Sequence, residues 1–525
     1  MEEIRQKQAA ALDFVTRMID RGIKHIVLSA PTGIGKSGVG VAICNWARSE
    51  SAKKLDGEGG GYYLITQKLL QKQLADDFEN FKQNLGDGTS LTASLDYECP
   101  RFGNCGVGTR MAKSKNRCNF PCPYQEAKEA FVESTIATTN YPYFFAQYEY
   151  VGTLPKRKVV VVDEAHTLEQ QILGFIDITI DFATQEEFGM EPLDIPELET
   201  FPEFVRWVQG TYKPAAQKHL GVLEMLQDDT NVNDAMRKQF VDLDQHICKL
   251  NRALEMAGDN LKDWVYWQEK NEETGDLTCI CKPLDAAWFM NMIEDMGDVI
   301  VYMSAFPGTK ETWCKMFDFK PNEVAWKNLN STFDVENRPV YLSYAGSMSR
   351  RNVDDTFPKY VAMVKKILKH HHDQKGLIHC NSYALGERLV EALGWEYNDR
   401  LVFPKKAKDR EEAMEEHLSS PGPTVLISPS MTEGFDFKGD SARWQIISKV
   451  PYPYLGDKQV SAKKDRDQDW YLLQTVMTIV QAAGRIVRAH DDWGYTYLMD
   501  EDFDRLKRQC DHMFPGWFKE AFVSS

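Results

Sequence analysis

Long apolar runs are missing from this chain of 525 residues, and the amino terminus lacks the apolar core of a secretion signal. The first absence argues against helices that cross a bilayer, and the second argues against secretion. We therefore expect a cytoplasmic protein, or a nuclear one in a eukaryote. We also expect a monomer. In such a reducing compartment the 11 cysteines are expected to be thiols or metal ligands rather than disulfides.

An excess of positive charge is also missing, because the formal net charge is −16. This argues against a protein that coats nucleic acid with its whole surface. The segment 99–122 is the local exception, because it contains no Asp or Glu. Its basic residues are Arg101, Arg110, Lys113, Lys115 and Arg117. A basic patch in an acidic chain indicates a polyanionic partner at that spot.

A phosphate-binding loop is present near the amino terminus. It comprises Ala30, Pro31, Thr32, Gly33, Ile34, Gly35, Lys36 and Ser37. An apolar strand precedes it and a helix follows, which is the context that this motif requires. The glycines let backbone amides approach phosphates, Lys36 is expected to reach the terminal phosphates, and Ser37 is expected to hold Mg²⁺.

Two carboxylates, Asp163 and Glu164, directly follow the run Val159–Val162. Such a run is typical of a buried parallel strand, which would bring both carboxylates to the sheet edge beside the phosphate loop. We expect Asp163 to hold Mg²⁺ through water and Glu164 to polarise the attacking water.

An arginine motif, Gln481-Ala-Ala-Gly-Arg485-Ile-Val-Arg488, lies near the carboxyl end. Arg485 and Arg488 are three residues apart and would share one face if the segment were helical. They are then candidates for arginine fingers that act on a γ-phosphate when two domains close, with Gln481 beside them. A solvated basic helix face is the alternative.

Four cysteines stand between the phosphate loop and Asp163, with the spacing Cys-x5-Cys-x12-Cys-x3-Cys. They are Cys99, Cys105, Cys118 and Cys122. Four thiolates can hold either a zinc ion or an iron–sulfur cluster, and their spacing alone does not separate the two.

Strands that alternate with helices predict a parallel, helix-covered sheet on both sides of a middle segment. That middle segment, from about residue 167 to residue 284, is charged and reads as helical. The chain is long enough for several domains. The aromatic run after Asn140, with Tyr141, Tyr143 and Phe144, is open to two interpretations, base stacking or core.

In its order of motifs the chain resembles the iron–sulfur branch of the superfamily 2 helicases, of the XPD/DinG type. The matching segments are the phosphate loop, the Asp163-Glu-Ala-His166 box, Ser304-Ala305, Asn381-Ser382, Thr432-Glu-Gly-Phe-Asp436 with Asp440 and Arg443, the arginine motif, and Cys122-Pro123-Tyr124. The resemblance covers nearly the whole chain.

The resemblance implies an α/β fold with two RecA-like parallel-sheet motor domains, a cysteine-rich metal-cluster insertion and a helical, arch-like insertion. It also implies further contacts. Arg5 and Gln8, placed just before the first helix, would contact adenine; Glu433, Gly434 and Asp436 would contact nucleotide; and Thr66, paired with Gln73, would contact nucleic acid.

The expected segments follow from this resemblance. They are motor domain 1 over 1–95, 126–168 and 285–325, the cluster insertion over 96–125, the arch-like domain over 169–284, and motor domain 2 over 326–525.

The function implied is an ATP-dependent DNA helicase that uses Mg²⁺ and a 4Fe–4S cluster, moves 5′→3′ on single-stranded DNA and unwinds forked duplexes. Zinc is the alternative to the cluster. The rival functions are a DEAH-class RNA helicase and an ATP-regulated nucleic-acid-binding protein without unwinding activity. One departure is Phe306, which stands where the family's Ser-Ala-Thr motif has Thr.

Overall fold

The computed structural model describes residues 2–66, 88–115, 122–227, 232–259, 261–429, 437, 439–488 and 491–524. The predicted site residues Gln73, Arg117 and Cys118 and the segment 430–436 lie outside these residues. Nothing in the structure therefore tests the predictions made for Glu433, Gly434 and Asp436.

The described strands are β1 His25–Ser29, β2 Glu58–Ile65, β3 Gly88–Ser90, β4 Glu98–Cys99, β5 Gly103–Asn104, β6 Ile136–Asn140, β7 Arg157–Val162, β8 Ile178–Ile180, β9 Trp264–Lys270, β10 Leu277–Pro283, β11 Gly297–Ser304, β12 Val324–Asn328, β13 Val340–Gly346, β14 Gly376–His379, β15 Leu401–Val402, β16 Val425–Ser428, β17 Trp444–Ile447, β18 Tyr495–Asp500 and β19 Phe522–Ser524.

The described α-helices span Glu2–Asp20, Lys36–Trp46, Cys105–Lys115, Pro123–Glu133, Tyr141–Ala146, Leu168–Ile176, Phe182–Glu187, Phe201–Trp207, Lys213–Leu226, Asp234–Asp259, Asn291–Glu294, Lys310–Met316, Val353–His370, Tyr383–Leu393, Arg410–Ser419, Lys458–Arg466, Gln468–Ala483, Asp502–Cys510 and Gly516–Lys519.

The first α/β domain is built on a parallel sheet of seven strands in the order β12-β1-β11-β7-β2-β6-β3. The valines of β7 are fully buried, as its unbroken apolar run predicts for a strand covered on both faces. Because β12 continues to Asn328, this domain extends past the predicted boundary at residue 325.

The second α/β domain has its own parallel sheet of seven strands, in the order β15-β16-β14-β17-β18-β13-β19. The two sheets confirm the predicted fold class. Strands β15 and β19 have only two and three residues, too few for a recognisable sequence pattern.

The insertion over 169–284 is not purely helical. Besides its helices it contains the antiparallel sheet β8-β10-β9. The long helix Asp234–Asp259 of this insertion packs against the cysteine-rich segment, where Arg110 donates to Asp244 at 2.6 Å. No helix in the described part of the chain has the length and apolarity needed to cross a bilayer.

Candidate active site between the two α/β domains

The phosphate loop leaves the buried carboxyl end of β1 and enters the helix Lys36–Trp46. Gly33 and Gly35 have φ values of 87° and 77°, a conformation that favours glycine. At Gly33 a side chain would also collide with the ring of Phe333, which stands 2.1 Å from the position of a Cβ atom. The glycines at these two positions therefore allow both the turn and this close approach.

The two carboxylates lie at the end of β7, as predicted. The hydroxyl of Tyr63 donates to Asp163 Oδ2 at 2.8 Å, and the backbone N–H of Glu164 donates to Asp163 Oδ1 at 2.9 Å. The Ser37 side chain also lies close enough to Tyr63 to lower the pKa of its hydroxyl, against the larger effect of burial. This shared neighbour brings together the hydroxyl and the carboxylate that the sequence assigned to Mg²⁺, and oxygen donors of this kind suit that ion.

Glu164 faces the phosphate loop, with its Oε1 atom 3.9 Å from Lys36 Nζ. Burial acts against ionisation, but Lys36, His166 and Arg488 together hold the pKa of Glu164 well below its usual range. Burial and the charge of Glu164 raise the pKa of Asp163 to about 6. The pair therefore favours an ionised Glu164 beside the lysine.

Glu164 adopts φ 48°, in the left-handed region that residues other than glycine seldom occupy. Thr167 stabilises the turn that follows, because its backbone N–H and its hydroxyl both donate to the Glu164 carbonyl at 2.9 Å. Strain held in place by surrounding bonds is common where a side chain must be aimed at a ligand.

A hydrogen-bonded chain links this turn to β11. His166 Nδ1 lies 3.2 Å from Glu164 Oε2 and 3.0 Å from Ser304 Oγ, which also accepts from the backbone N–H of Phe306 at 3.3 Å. Phe306 is buried in one apolar cluster with Leu473 and neighbours from the helix Gln468–Ala483. The residue that departs from the family motif thus joins the first domain to the core of the second.

Phe306→Ala is expected to lower the thermal unfolding midpoint by several degrees, because truncating a buried phenylalanine costs about 3 kcal/mol or more. Phe306→Leu serves as the control, since it keeps most of the apolar contact and should remain near wild type. Calorimetry or circular dichroism would measure this. An unchanged midpoint in Phe306→Ala would show that the contact contributes nothing.

The arginine motif does not form the predicted helical face. The helix ends at Ala483, with Gly484 as its cap, so that Arg485 and Arg488 follow it in a turn. The backbone N–H of Arg488 donates to Asp492 at 3.0 Å, and its Nε donates to the carbonyl of Arg485 at 3.3 Å. Gly484, a residue of low helix propensity, stands where the helix ends, before either arginine is reached.

The motif nevertheless faces the first domain. A cavity of about 130 Å³ lies between the domains, lined by His166 and Glu169 on one side and by Gln481 and Arg485 on the other. Gln481 Nε2 is buried there without a hydrogen-bond partner among the described residues. The charge of Arg488 is close enough to lower the pKa of Glu164. His166 from one domain and Gln481 and Arg485 from the other therefore line one cavity, and Arg488 stands within electrostatic reach of Glu164.

Arg5 and Gln8 lie within the helix Glu2–Asp20, not before it as the sequence suggested. Gln8 Nε2 donates to the carbonyl of Gly35 at 3.3 Å, and Lys7 Nζ donates to the carbonyl of Ser331 at 2.8 Å. Gln8 therefore touches the phosphate loop directly.

Three of the four predicted cysteine ligands are described, and they gather at the base of the insertion. Cys99 is buried in the hairpin β4-β5, Cys105 begins a helix, and Cys122 caps the next one. The Sγ atoms of Cys105 and Cys122 are 3.7 Å apart. Burial and the thiols of Cys122 and Cys99 raise the pKa of Cys105 to about 12.

In the described ranges, no three acidic, histidine or cysteine side chains form a recognisable metal site, and Cys118 lies outside them. By their chemistry, the thiols of Cys99, Cys105 and Cys122 are still donors that a thiophilic metal suits.

The basic patch is only partly described. Lys113 and Lys115 are in the helix Cys105–Lys115. Arg110 is half-buried in its ion pair with Asp244 of the long helix. Thr66 directly follows β2 and is the last described residue before the segment 67–87.

The aromatic run is core. Tyr141 and Phe144 are fully buried and Tyr143 is nearly so, which excludes them as exposed platforms for bases. Tyr141 instead donates its hydroxyl to the backbone carbonyl of Asp163 at 2.5 Å. Sequence reasoning missed this role and that of Tyr63, because a tyrosine in a buried strand or helix looks like ordinary core.

Two other motifs have structural partners. Asn381 has φ 61° and donates from Nδ2 to the carbonyl of Lys449 at 3.3 Å. Arg443 bonds to Asp440 at 2.8 Å and to Asp492 at 2.6 Å. Asp492 also accepts a hydrogen bond from the backbone N–H of Arg488. Arg443 is therefore linked to the arginine motif through Asp492.

Comparisons with known proteins agree with this geometry. A family model for the type III restriction enzyme res subunit matches residues 1–190, and one for the helicase C-terminal domain matches residues 364–521. A solved XPD helicase structure superposes over 99% of both chains with a TM-score of 0.64 at 14% identity, which shows a shared fold.

Two curated relatives are similar in sequence. The ATP-dependent DNA helicase XPD of Sulfolobus acidocaldarius is 23% identical over 419 residues, 73% of this chain and 72% of that protein. The regulator of telomere elongation helicase 1 homolog of Caenorhabditis elegans is 27% identical over 246 residues, 39% of this chain and 24% of that protein. By its motif order, its two domains and these matches, the chain is similar to the XPD-like helicases over most of its length.

Proposed function

We propose that this protein is an ATP-dependent DNA helicase that moves 5′→3′ along single-stranded DNA and separates forked duplexes. The observation that carries the proposal is the position of Glu164, which stands 3.9 Å from Lys36 of the phosphate loop and within electrostatic reach of Arg488 from the other domain. Such a two-domain arrangement suits an ATPase whose hydrolysis depends on domain closure.

Each group at the cleft has a role in hydrolysis. Lys36 binds the terminal phosphates, and Glu164, ionised beside it, orients the attacking water and receives its proton. Ser37 and Asp163 would hold Mg²⁺, which neutralises phosphate charge when bound. Arg485 and Arg488 stabilise the charge that develops on the transferred phosphoryl group, with Gln481 beside them.

Nucleotide recognition extends beyond the cleft. Gln8, through its contact with Gly35, is the residue best placed to read the base, with Arg5 one turn away on the same helix. Glu433, Gly434 and Asp436 remain proposed nucleotide contacts on the strength of the motif alone.

The cysteine insertion is proposed to hold a 4Fe–4S cluster with Cys99, Cys105, Cys118 and Cys122. The order of motifs supports a cluster. A zinc ion is the second candidate, since four thiolates also suit a tetrahedral zinc site.

Metal analysis separates these candidates. Protein purified under argon is expected to be brown and to contain about four irons per chain, as a cluster bound by four thiolates requires. Cys105→Ser should lose the metal and unfold the insertion, whereas Cys510→Ser, a buried cysteine in a distant helix, should retain it. A colourless protein that contains one zinc per chain would contradict the cluster and support the zinc site.

DNA is the proposed nucleic acid, met at the basic patch. Arg110, Lys113, Lys115 and Arg117 would contact phosphates, and Thr66 would contact the strand where it crosses the first sheet. The insertion would stand at the fork. Arg110 is paired with Asp244. It would therefore have to leave this partner before it could contact a phosphate. We further propose that the protein acts as a monomer in the cytoplasm, or in the nucleus of a eukaryote.

Duplexes that carry one single-stranded tail, either 5′ or 3′, test the direction of movement. A duplex with a 5′ tail should be unwound in the presence of Mg-ATP, and one with only a 3′ tail should not. Unwinding from the 3′ tail would reverse the proposed direction. Unwinding of RNA but not DNA duplexes would favour the RNA helicase alternative, and ATP turnover without unwinding would favour the regulated binding protein.

A further inference from the structure

A buried carboxylate, Glu169, lies three residues beyond the Asp163–His166 box and outside every motif of the sequence. It belongs to the helix Leu168–Ile176, and its side chain is only 9% exposed. A charged group is seldom buried without partners, because removing it from water is costly. Its partners therefore indicate what it is for.

All of the side-chain donors that reach the Glu169 carboxylate in the described structure come from the other α/β domain. Lys463 Nζ donates to Oε1, Trp470 Nε1 donates to Oε2 at 2.7 Å, and Gln474 Nε2 donates to Oε2 at 3.4 Å. Lys463 is itself 8% exposed and lies over the Trp470 ring at 4.5 Å. The contact is thus a desolvated ion pair across the domain interface.

The surroundings of this pair include one more acid. Asp285, from the segment after β10, is close enough to interact electrostatically with Lys463 and Glu169. At the edge of the same interface, Lys315 pairs with Asp467 at 2.8 Å, but its side chain is 60% exposed. The Glu169 contact is therefore buried, whereas the Lys315 contact at the same interface is exposed.

Trp470 and Gln474 lie on the helix Gln468–Ala483, four residues apart and so on one face. Gln481 and then Arg485 follow farther along the chain, in the cavity that Glu169 also lines. At a rise of about 1.5 Å per residue, Gln474 is only about 11 Å along the helix axis from Gln481. A bond at Gln474 therefore sets where the end of this helix stands.

On the other side, Glu169 is joined rigidly to the water-orienting residue. The turn Ala165–Thr167 leads from Glu164 into its helix, and Thr167 bonds twice to the Glu164 carbonyl. A short path through Glu169 thus connects Glu164, which would orient water, to the helix Gln468–Ala483, after which the arginines follow.

We infer that Glu169 is a positioning residue that holds the helix Gln468–Ala483 in register with the Asp163–His166 turn, so that Arg485 and Arg488 reach the site of hydrolysis. The inference rests on the proposed function in that these arginines act on the γ-phosphate. It assigns to Glu169, Lys463 and Trp470 a mechanical role that none of the sequence motifs carries.

The test compares Glu169→Gln, Lys463→Met and the double variant with wild type in steady-state ATP hydrolysis on single-stranded DNA. Each single variant should lower kcat about tenfold, with KM for ATP unchanged within about threefold, because coupled residues affect positioning together. The double variant should lose little more than either single one. Gln474→Ala, which removes only the longest bond, should fold normally and show a smaller loss in the same direction.

Lys315→Met is the matched control, since it breaks the exposed ion pair at the same interface and should leave kcat unchanged. Wild-type kcat in Glu169→Gln, fully additive losses in the double variant, or an equal loss in Lys315→Met would overturn the inference.

Amide hydrogen exchange gives a readout that does not depend on turnover. The helix Gln468–Ala483 should exchange faster in Glu169→Gln than in wild type, and equal protection would overturn the inference. If wild type hydrolyses no ATP, the proposed function fails, and the exchange result still decides whether Glu169 holds the helix.

Discussion

Replacing Glu164 by Gln is expected to lower DNA-stimulated ATP hydrolysis on the order of a thousandfold, because a positioned general base contributes about that much. ATP should still bind, since the amide keeps the size of the side chain and Lys36 is untouched. The variant should therefore accumulate in a closed, ATP-bound state on DNA. Lys36→Ala should also abolish hydrolysis, but by weakening the binding of ATP itself.

Fluorescent nucleotide binding and phosphate release distinguish the two variants. The two residues share one site, because Lys36 Nζ lies 3.9 Å from Glu164 Oε1 and the charge of Arg488 also reaches this carboxylate. Near wild-type turnover in either variant would contradict the assignment of that residue.

Changing Arg485 or Arg488 to Ala is expected to lower kcat about a thousandfold while leaving ATP affinity within about tenfold, as for arginine fingers that act on transition-state charge. Both residues follow the helix end at Ala483, and Arg485 lines the interdomain cavity.

Arg388→Ala is a suitable control for these variants. Arg388 lies in the same domain and pairs with Asp354 at the surface, where such pairs contribute little. It should behave as wild type. If Arg485→Ala or Arg488→Ala weakened ATP binding as much as turnover, the arginines would be ground-state contacts instead.

The parts of the fold that were predictable are those with a local signal. The valine run before Asp163 predicts a buried strand, and β7 is buried as expected. The glycines of the phosphate loop predict a turn, and Gly33 and Gly35 have the positive φ that this turn needs. In each case the residues that decide the structure are neighbours in sequence.

The helical reading of the arginine motif failed for an equally local reason. Spacing by three residues suits a helix, but Gly484 stands between Ala483 and Arg485 and ends it. Glycine disfavours a helix interior and favours a helix end, so that it outweighed the spacing.

Long-range contacts were beyond the sequence. Tyr63 is 100 residues from Asp163, and Lys463 is 294 residues from Glu169. Nothing near either residue indicates its partner. The sheet inside the 169–284 insertion was missed because β8 has only three residues and helices separate it from β9 and β10, which lie in a segment that was read as helical from its charge.

The most direct test of the account is ATP turnover by the purified wild-type protein with and without single-stranded DNA, with an RNA strand of the same sequence in parallel. A working two-domain site predicts slow basal turnover, clear stimulation by DNA, weaker stimulation by RNA, and no turnover in Lys36→Ala. Turnover that ignores DNA, or that responds only to RNA, would contradict it.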